Sequence, residues 1–596
     1  MIIARECTRF STDALRAACL ATDERGVRYL EGWQLGPDGP QRELQVEVTC
    51  SPHVSQVVAV PDGRVVLSWH APGRQLLDLV DRGGDRRSIG VTPAPIRLLP
   101  TPDRPGWLAV GIGVASAGTC TIYRIGESDG WLQPVATVAG DVRGGAVCGD
   151  RLVITVVASG RAVPMVVDLT RGAVSPLFDA EPTGHVLLAG GDRVLLAVDT
   201  AAGRRLALAP ADGTAPMRTL HGPRGIGAAL TPVAVDPTGS RVALVVTRGA
   251  RSELALYHWP SDTVHPAGPT DGELYPVAAW PERGLWLPYS RPTEPPTFGW
   301  LASTQTGAFR PGPPPASPRA WHRGRLETFP GPAGDIESIV YGDWRSSPRV
   351  VVALHGGPES RWTIGFEPLF QAFAAHGLAV VAPNQRGSTG YGAQHVGAIV
   401  GSWGTCDLAD VRAILGHLRR FRGPRAERPA VFGSSYGAFL ALLAVAADPE
   451  AWSACAVVAP FRSAAALHRE AGPATRSLIE RLRGLVEATD EFGARDLDRL
   501  ASRIRTKVLV LHGALDETIP VDQSRVLVDR LTAAGHPSVT YLEIADRGHN
   551  ALSGPTAVPL IARIAQFLSG PDDVEPAAEL VSAAGAAITP YGSGRR

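Results

Sequence analysis

Glycine-containing turns recur through the first half of the chain and constrain its fold more than any other feature. Successive turn glycines are 37 to 48 residues apart, and each is followed by a short apolar run. A repeat of about 40–45 residues with about four short strands is typical of a β-propeller blade. Seven repeats predict a seven-bladed β-propeller over residues 1–310, with an array of β-sandwiches as the alternative. The turn glycines are Gly26, Gly63, Gly106, Gly149, Gly191, Gly239 and Gly284.

The pattern changes after a proline-rich segment. Residues 311–318 contain five prolines, which disfavour a helix or a strand ladder and predict a stiff linker over residues 311–325. From 326 to 570, short apolar runs alternate with helical stretches, which predicts a doubly wound, mostly parallel sheet with helices on both faces. Residues 571–596 are rich in Ala, Gly and Ser and predict a flexible tail. The expected strands are 350–354, 379–382, 430–432, 454–458, 507–511 and 540–544, and the expected helices are 370–376, 408–420, 439–447, 523–534 and 558–568.

Composition argues against several classes of function. The 596 residues carry 58 basic and 58 acidic side chains, so there is no basic excess to bind nucleic acid. No apolar run has the length of a signal peptide or a membrane span. The seven cysteines are widely spaced and form no C-x-x-C motif, which disfavours disulfides and zinc. We therefore expect a cytoplasmic protein with reduced thiols, no metal, no cofactor, and no nucleic-acid or membrane partner.

The sequence GSSYG at residues 433–437 matches the G-x-S-x-G pattern of a nucleophile elbow. It follows an apolar run at 429–432 and opens into an apolar helical pattern, which is the strand–turn–helix context that the motif requires. Such a turn is crowded, so a side chain at either glycine would clash. Ser435 is the candidate nucleophile, but a serine hydroxyl is weak without a neighbouring base and an acid that orients the base.

A base and an acid follow Ser435 in the order of an α/β-hydrolase triad. His549 lies in a loop after the expected strand 540–544, and Asp516 lies just beyond the strand 507–511. Each residue has a simpler alternative, since the histidine could cap a loop and the aspartate could stabilise a turn. Asp522 and Asp546 are rival acids. The three residues in this order, each at the end of a strand, favour a Ser-His-Asp triad.

The sequence HGGP at residues 355–358 directly follows the expected strand 350–354. A loop at this place can turn a backbone N–H toward a substrate carbonyl, although a simple tight turn is the alternative. The N–H of Tyr436, the residue after the proposed nucleophile, is the second candidate donor. The sequence therefore predicts an oxyanion hole beside Ser435.

The whole chain resembles the prolyl oligopeptidase family of serine peptidases, most strongly between residues 326 and 568. The sequence HGGP is similar to the oxyanion loop of the acylaminoacyl-peptidase branch. The sequences NQRGSTGYG at 384–392 and GSWG at 401–404 resemble two consecutive family segments, and residues 512–523 resemble the stretch that carries the acid. The resemblance implies an N-terminal seven-bladed propeller followed by an α/β-hydrolase domain.

The resemblance also assigns the site residues. It implies Ser435, Asp516 and His549 as the catalytic triad, and the backbone N–H groups of Gly357 and Tyr436 as the oxyanion donors.

This sequence departs from the family pattern at three positions near the site. Ala438 stands where the family usually has a glycine, and Asn550 stands where it has a glycine after the base. His355 occupies the place at which another branch carries a tyrosine. None of these changes removes a reacting group.

Together these features predict a serine peptidase that hydrolyses short peptides through an acyl-enzyme on Ser435. An aminopeptidase, an acylaminoacyl-peptidase and an oligopeptidase remain open. The alternatives are an esterase or an acyltransferase, including a peptide cyclase, that uses the same triad, and a non-catalytic propeller scaffold. The expected partner is a short peptide or acyl-peptide substrate, and a homo-oligomer is possible.

Overall fold

A computed structural model describes residues 2–49, 55–71, 73–101, 104–116, 118–127, 130–178, 183–200, 203–220, 229–302, 309–312, 320–423, 426–488, 490, 492–552, 557–570 and 588–590. Its strands form seven four-stranded sheets and one nine-stranded sheet. No helix in these ranges is both long and apolar enough to cross a lipid bilayer.

The N-terminal half is a seven-bladed β-propeller, as the glycine repeat predicts. Each blade consists of four consecutive antiparallel strands. All seven repeat glycines have positive φ, between 55° and 149°, a backbone conformation that residues with a side chain rarely adopt. The blade strands are β1 (Ile2–Phe10), β2 (Arg16–Asp23), β3 (Arg28–Gly36), β4 (Gly39–Glu47), β5 (Gln56–Ala59), β6 (Val65–Ala71), β7 (Arg74–Val80), β8 (Arg86–Thr92), β9 (Ile96–Leu99), β10 (Ala109–Ser116), β11 (Thr119–Ile125), β12 (Leu132–Ala139), β13 (Asp141–Cys148), β14 (Arg151–Ala158), β15 (Arg161–Asp168), β16 (Val174–Pro176), β17 (Gly184–Gly190), β18 (Arg193–Thr200), β19 (Gly203–Pro210), β20 (Arg218–Thr219), β21 (Ala229–Val235), β22 (Arg241–Arg248), β23 (Arg251–His258), β24 (Thr263–Pro266), β25 (Glu273–Leu274), β26 (Gly284–Arg291), β27 (Glu294–Ala302) and β28 (Phe309–Pro311).

Side chains close the ring between the first and the seventh blade. In the described residues, neither of these blades borrows a strand from the other. Instead, the ring of Phe298 in β27 packs edge-on against Phe10 and Trp33 of the first blade, with centroid distances of 5.9 and 5.3 Å. The Arg5 guanidinium donates a hydrogen bond to the Pro296 carbonyl. The two ends of the propeller are therefore held by apolar packing and one charged donor.

The C-terminal domain is a nine-stranded sheet with helices on both faces. Its strand order is β29-β30-β32-β31-β33-β34-β35-β36-β37, and the strands from β32 to β36 are mutually parallel. The strands are β29 (Gly324–Gly331), β30 (Gly334–Tyr341), β31 (Val350–Leu354), β32 (Ala379–Pro383), β33 (Ala430–Ser434), β34 (Ala454–Val458), β35 (Lys507–Gly513), β36 (Val539–Ile544) and β37 (Ile588–Pro590). The helices are α1 (Pro368–Ala375), α2 (Ala393–Gly397), α3 (Cys406–Phe421), α4 (Tyr436–Ala447), α5 (Ala464–Glu470), α6 (Pro473–Arg481), α7 (Leu497–Leu500), α8 (Asp522–Ala533) and α9 (Ala557–Ser569), with a 3-10 turn at Ala501–Arg503.

Alternate residues of the central strands pack into two separate cores. Val350, Val352 and Leu354 of β31 pack with helices α3, α4 and α8, whereas Val351 and Ala353 pack with α1 and α9. Both faces of β31 are apolar because successive side chains of a strand point to opposite sides. This two-sided burial explains why the parallel strands are nearly continuous apolar runs in the sequence.

The fold predicted from the sequence is confirmed. Each strand and helix expected in the C-terminal half is present, with ends shifted by three residues or fewer. The antiparallel edge strands β29, β30 and β37 were not expected. Residues 313–319 of the proposed linker lie outside the described residues. In the proposed tail, β37 pairs with β36, and residues 571–587 and 591–596 lie outside the described residues.

The two domains meet through backbone hydrogen bonds from a propeller hairpin. Gly249, in the turn between β22 and β23, donates its N–H to the Gly390 carbonyl at 2.8 Å, and Ile364 donates to the Ala250 carbonyl at 2.9 Å. A Cβ at Gly390 would lie 2.7 Å from the Gly249 carbonyl oxygen. The contact between the domains is therefore close enough to require glycine at this point.

Two half-buried carboxyl groups lie at the same interface, one from each domain. Glu273 of β25 accepts a hydrogen bond from Thr363 Oγ1 of the C-terminal domain. Glu367 accepts one from the Leu369 N–H and caps α1. Burial, aided by the nearby charge of Glu273, raises the pKa of Glu367 to about 7. Burial also raises the pKa of Glu273.

We expect Glu367→Gln to make the folded state less sensitive to alkaline pH. Between the unfolded pKa of about 4.5 and the folded value of about 7, the unfolded wild type loses its Glu367 proton while the folded protein keeps it. Wild-type stability therefore falls as pH rises through this window. Because Glu367 keeps some solvent contact, we expect a relative gain of about 1–2 kcal/mol for the variant at pH 8 and little at pH 4.

Denaturant midpoints of both proteins across this pH range measure the effect. Glu450→Gln is the control, since the Glu450 side chain is 85% exposed and its replacement should give no pH-dependent difference. A constant difference between Glu367→Gln and wild type at all pH values would contradict the assignment.

Candidate active site

The backbone at Ser435 is held in a left-handed conformation between β33 and α4, with φ 56° and ψ −121°. Crowding by the flanking glycines maintains this turn. A Cβ at Gly433 would lie 2.0 Å from the Gly437 carbonyl oxygen, and one at Gly437 would lie 2.4 Å from that of Leu354. The turn between β33 and α4 therefore has the tight geometry expected of a nucleophile elbow.

The structure brings Ser435, His549 and Asp516 together. His549 Nε2 lies 3.0 Å from Ser435 Oγ, and His549 Nδ1 lies 2.8 Å from Asp516 Oδ2. The three residues follow β33, β36 and β35, whose carboxyl ends lie at one edge of the sheet. Side chains separated by up to 114 positions thus form a continuous hydrogen-bonded chain.

Asp516 is enclosed by hydrogen-bond donors. Its side chain is fully buried, and Oδ1 accepts from the N–H groups of Thr518 and Ile519, both at 2.8 Å. His512 Nε2 lies 3.2 Å from Oδ2. Burial alone would raise the pKa of Asp516, but the hydrogen bonds from His512 and His549 outweigh it and hold the pKa below its usual range. The carboxylate is therefore ionised at neutral pH.

The two rival acids lie elsewhere. Asp522 begins α8, where its 68% exposed side chain pairs with Arg525. Asp546 precedes His549 by three positions, but its side chain is 59% exposed and pairs with Arg547 at 3.7 Å. Of the three candidate acids, Asp516 is the one that the structure places on the His549 ring.

The loop with the sequence HGGP lies against Ser435. A Cβ on Gly356 would lie 3.3 Å from the Ser435 Cβ, so the loop backbone approaches the hydroxyl closely. Gly357 has a φ of 119°, which favours glycine. Tyr436 is the first residue of α4, where an N–H has no acceptor within the helix. Gly356, which precedes the predicted donor Gly357, and Tyr436, the other predicted donor, thus both lie next to Ser435.

The His355 side chain is buried within the protein. It is 3% exposed, with Nδ1 at 2.7 Å from the Gly356 carbonyl oxygen and Nε2 at 2.7 Å from Ser388 Oγ. Burial lowers the pKa of His355 to about 4, so the ring is neutral at pH 7. A bond from Nδ1–H to the Gly356 carbonyl fixes that peptide plane, and the N–H of Gly357 then points in the opposite direction. His355 therefore orients a donor through the backbone.

The Tyr436 side chain anchors the elbow to a neighbouring segment. Its hydroxyl donates to Asp407 Oδ2 at 2.6 Å and accepts from the Gly404 N–H at 3.1 Å. Burial raises the pKa of Asp407 to about 6. The Tyr436 ring packs edge-on against Trp403 at 5.1 Å. The segment after residue 400 thus supports the first turn of α4.

Comparison with known proteins identifies the C-terminal domain. Residues 365–570 match the family model described as the prolyl oligopeptidase family. The uncharacterized peptidase YuxL of Bacillus subtilis is 29% identical over 190 residues, covering 31% of this chain and 28% of that protein. The acylamino-acid-releasing enzyme of Rattus norvegicus is 27% identical over 215 residues, covering 34% of this chain and 29% of that protein. The family resemblance inferred from the sequence motifs is thereby confirmed for this domain.

Solved structures share the fold over almost the whole chain. Pyrococcus horikoshii acylaminoacyl peptidase superposes with a TM-score of 0.71 at 14% identity and covers 98% of both chains. A puromycin hydrolase superposes with a TM-score of 0.72 at 18% identity and covers 95% of this chain and 94% of its own. At these identities the likeness concerns the fold. The matched segments cover only about a quarter to a third of the length of the curated relatives. The covered share is 30%, 23% and 28% for three of them.

We expect Gly437→Ala to destroy the elbow, since the added methyl group would lie 2.4–2.5 Å from two carbonyl oxygens of residues 354 and 355. Backbone atoms cannot move aside as a flexible side chain can, so we expect a loss of at least about 3 kcal/mol in unfolding free energy. The matched control is Gly416→Ala in α3, where a Cβ meets no atom within 4 Å. That change should stabilise the protein by up to about 1 kcal/mol. Equal stability of the two variants would contradict the crowding argument.

Proposed function

We propose that this chain, in which residues 365–570 form a prolyl oligopeptidase family domain, is a serine peptidase that forms an acyl-enzyme on Ser435. The observation that carries the proposal is the Ser435–His549–Asp516 chain, with contacts of 3.0 and 2.8 Å. Distances of this size allow proton transfer from the hydroxyl to the imidazole. A serine hydroxyl on a strained turn beside a histidine is the arrangement that activates this nucleophile.

Asp516 determines which nitrogen of His549 acts as the base. A neutral imidazole carries one proton, and the ionised Asp516 carboxylate holds that proton on Nδ1. Nε2 is then free to take the Ser435 proton while Oγ bonds to the carbonyl carbon of the scissile peptide. The electron pair of the carbonyl double bond moves onto oxygen, where the N–H groups of Gly357 and Tyr436 stabilise the charge.

The intermediate then collapses in two stages. The carbon–nitrogen bond breaks, and His549 returns its proton to the leaving amine, which leaves an ester on Ser435. Water attacks this ester with His549 again as the base, and the acid product departs as Ser435 regains its proton. Every proton in this scheme passes through His549 Nε2, so the orientation of one ring controls both stages.

The substrates that we propose are short peptides, with an acylated N-terminus as the first class to test. The support is the resemblance to the acylamino-acid-releasing enzyme of rat and the fold shared with an acylaminoacyl peptidase. The propeller favours small substrates because its hairpins bond to residues near the oxyanion loop, at Ile364 and Gly390. A folded protein could not pass such a covered site, whereas a flexible peptide could.

We expect a fluorophosphonate probe to label the wild type on Ser435, because the probe reacts only with an activated serine. Ser435→Ala should abolish labelling and lower kcat for an acetyl-aminoacyl p-nitroanilide by at least about 10⁴-fold. Ser434→Ala, at the adjacent serine, is the control and should still be labelled. Absence of labelling in the wild type would favour a scaffold. Cleavage of esters without cleavage of amides would favour an esterase.

We also expect size selection. A peptide of about ten residues should be cut, while the same sequence displayed in a surface loop of a folded host protein should resist cleavage because the propeller covers the site. Mass spectrometry of both digests under identical conditions measures the difference. Comparable cleavage rates for the two substrates would contradict the proposal that the propeller acts as a filter.

A further inference from the structure

We propose that His512 is a positioning residue of this site and tunes Asp516 by donating a hydrogen bond to the same carboxylate oxygen that His549 uses. The inference rests on the proposed function, since it concerns the acid of the proposed triad. His512 is the penultimate residue of β35 and is fully buried. The sequence motifs include it only as the start of the stretch that leads to Asp516.

The partners of His512 determine where its proton is. Nε2 lies 2.9 Å from the Ile519 carbonyl oxygen and 3.2 Å from Asp516 Oδ2. Both are acceptors, because the carbonyl oxygen carries no proton and Asp516 is ionised, so Nε2 must carry the proton. Nδ1 lies 2.6 Å from Ser524 Oγ and accepts the serine proton. The result is a directed chain from Ser524 through the His512 ring to Asp516.

Asp516 Oδ2 is therefore shared by two histidines. It accepts from His549 Nδ1 at 2.8 Å and from His512 Nε2 at the longer distance of 3.2 Å. A second donor disperses the negative charge of the carboxylate and weakens its attraction for a protonated His549 ring. His512 thereby eases the return of the proton to the leaving group, a step that an over-stabilised imidazolium would slow.

Orientation of Asp516 does not depend on His512 alone. The Thr518 and Ile519 N–H groups hold the other carboxylate oxygen, each at 2.8 Å. When the His512 donor is removed, the carboxylate should stay in place while its charge becomes more concentrated on Oδ2. The proposed role is thus electrostatic, and it can be separated from a purely structural one by the pH dependence of the reaction.

Besides Asp516 and His549, a further titratable group that interacts with His512 is Glu543 of β36. Arg525 of α8 binds Glu543 through Nη2 at 2.6 Å, and the Tyr541 hydroxyl donates to Glu543 at 2.8 Å. A substitution at residue 512 leaves the bonds of Arg525 and Tyr541 to Glu543 in place. We therefore expect the charge of Glu543 to act equally on the site in the wild type and in the variants.

The test compares His512→Phe, which removes the donor, with His512→Gln, whose side-chain amide can restore an N–H near the position of Nε2. We expect the acid limb of the kcat/KM profile to move to higher pH by about one unit in His512→Phe. The alkaline plateau should fall by no more than about tenfold, since the two backbone donors remain. His512→Gln should return both quantities close to wild type.

A spectroscopic titration makes the test independent of activity. The ¹³Cε1 resonance of His549, assigned by its loss in His549→Gln, should show a midpoint that rises by about one pH unit in His512→Phe. The control is His536→Gln, because His536 bonds the Thr506 carbonyl at 2.9 Å at the start of β35, and it should leave the midpoint unchanged. If the fluorophosphonate probe does not label the wild type, the proposed function is overturned. The titration of His549 would still decide the role of His512.

A shifted midpoint in His512→Phe that His512→Gln reverses supports the inference. An unchanged midpoint in soluble, folded His512→Phe overturns it, as does a loss of activity across all pH values without a shift. If His512→Phe does not fold, His512→Gln and Ser524→Ala decide the matter. Ser524→Ala removes the donor to His512 Nδ1 and lets the ring proton move there from Nε2, so we expect it to raise the His549 midpoint. An unchanged or lowered midpoint in Ser524→Ala, or a shifted midpoint in His512→Gln, would contradict a donor role for Nε2.

Discussion

The turn at Ser435 is the constraint on which the rest of the site depends. A left-handed φ of 56° at a residue with a side chain is unfavourable by itself. It persists because α4 begins directly after β33, and because the glycines on either side let Leu354 and the first turn of α4 approach within contact distance. This single turn fixes the direction of the hydroxyl and directs the Tyr436 N–H to the same side.

The other groups of the site gather around that turn because the sheet is parallel. Strands that run in the same direction end at one edge, so the loops after β33, β35 and β36 meet there although they are far apart in the chain. In the loop after β35, the Asp516 carboxylate is held by two backbone N–H groups and by His512. The site thus places a serine on a strained turn and a carboxylate held by several donors, with a histidine between them.

The propeller contacts the C-terminal domain through the hairpin between β22 and β23. The bonds between Gly249 and Gly390, and between Ile364 and Ala250, are made by backbone groups, and Ala250 also belongs to an apolar cluster that includes Ile364. Glu273 and Glu367 lie at the same interface, and burial raises the pKa of both carboxyl groups. Domains of one chain commonly move relative to one another, and such motion would let substrate enter and product leave in the function that we propose.

The sequence by itself determined the blade repeat and the positions of the main C-terminal strands and helices. Both follow from local rules, since a turn with positive φ requires glycine and a strand buried on both faces must be apolar. It also determined the candidate residues Ser435, Asp516 and His549, because a motif and the ends of neighbouring strands mark them. Only the tertiary structure distinguished Asp516 from Asp522 and Asp546 as the partner of His549, since the partner depends on which loop lies beside the ring.

Tertiary structure also decided every feature that depends on contact between distant segments. The inward orientation of His355 onto Ser388, the second histidine on Asp516 and the pairing of β37 with β36 have no local signature. A buried polar side chain takes whichever partner the fold brings within hydrogen-bond distance, and a short edge strand is defined by its neighbour. Such pairings form only when the sheet has assembled, which is why the motifs indicate the candidate reacting groups but not the side chains that contact them.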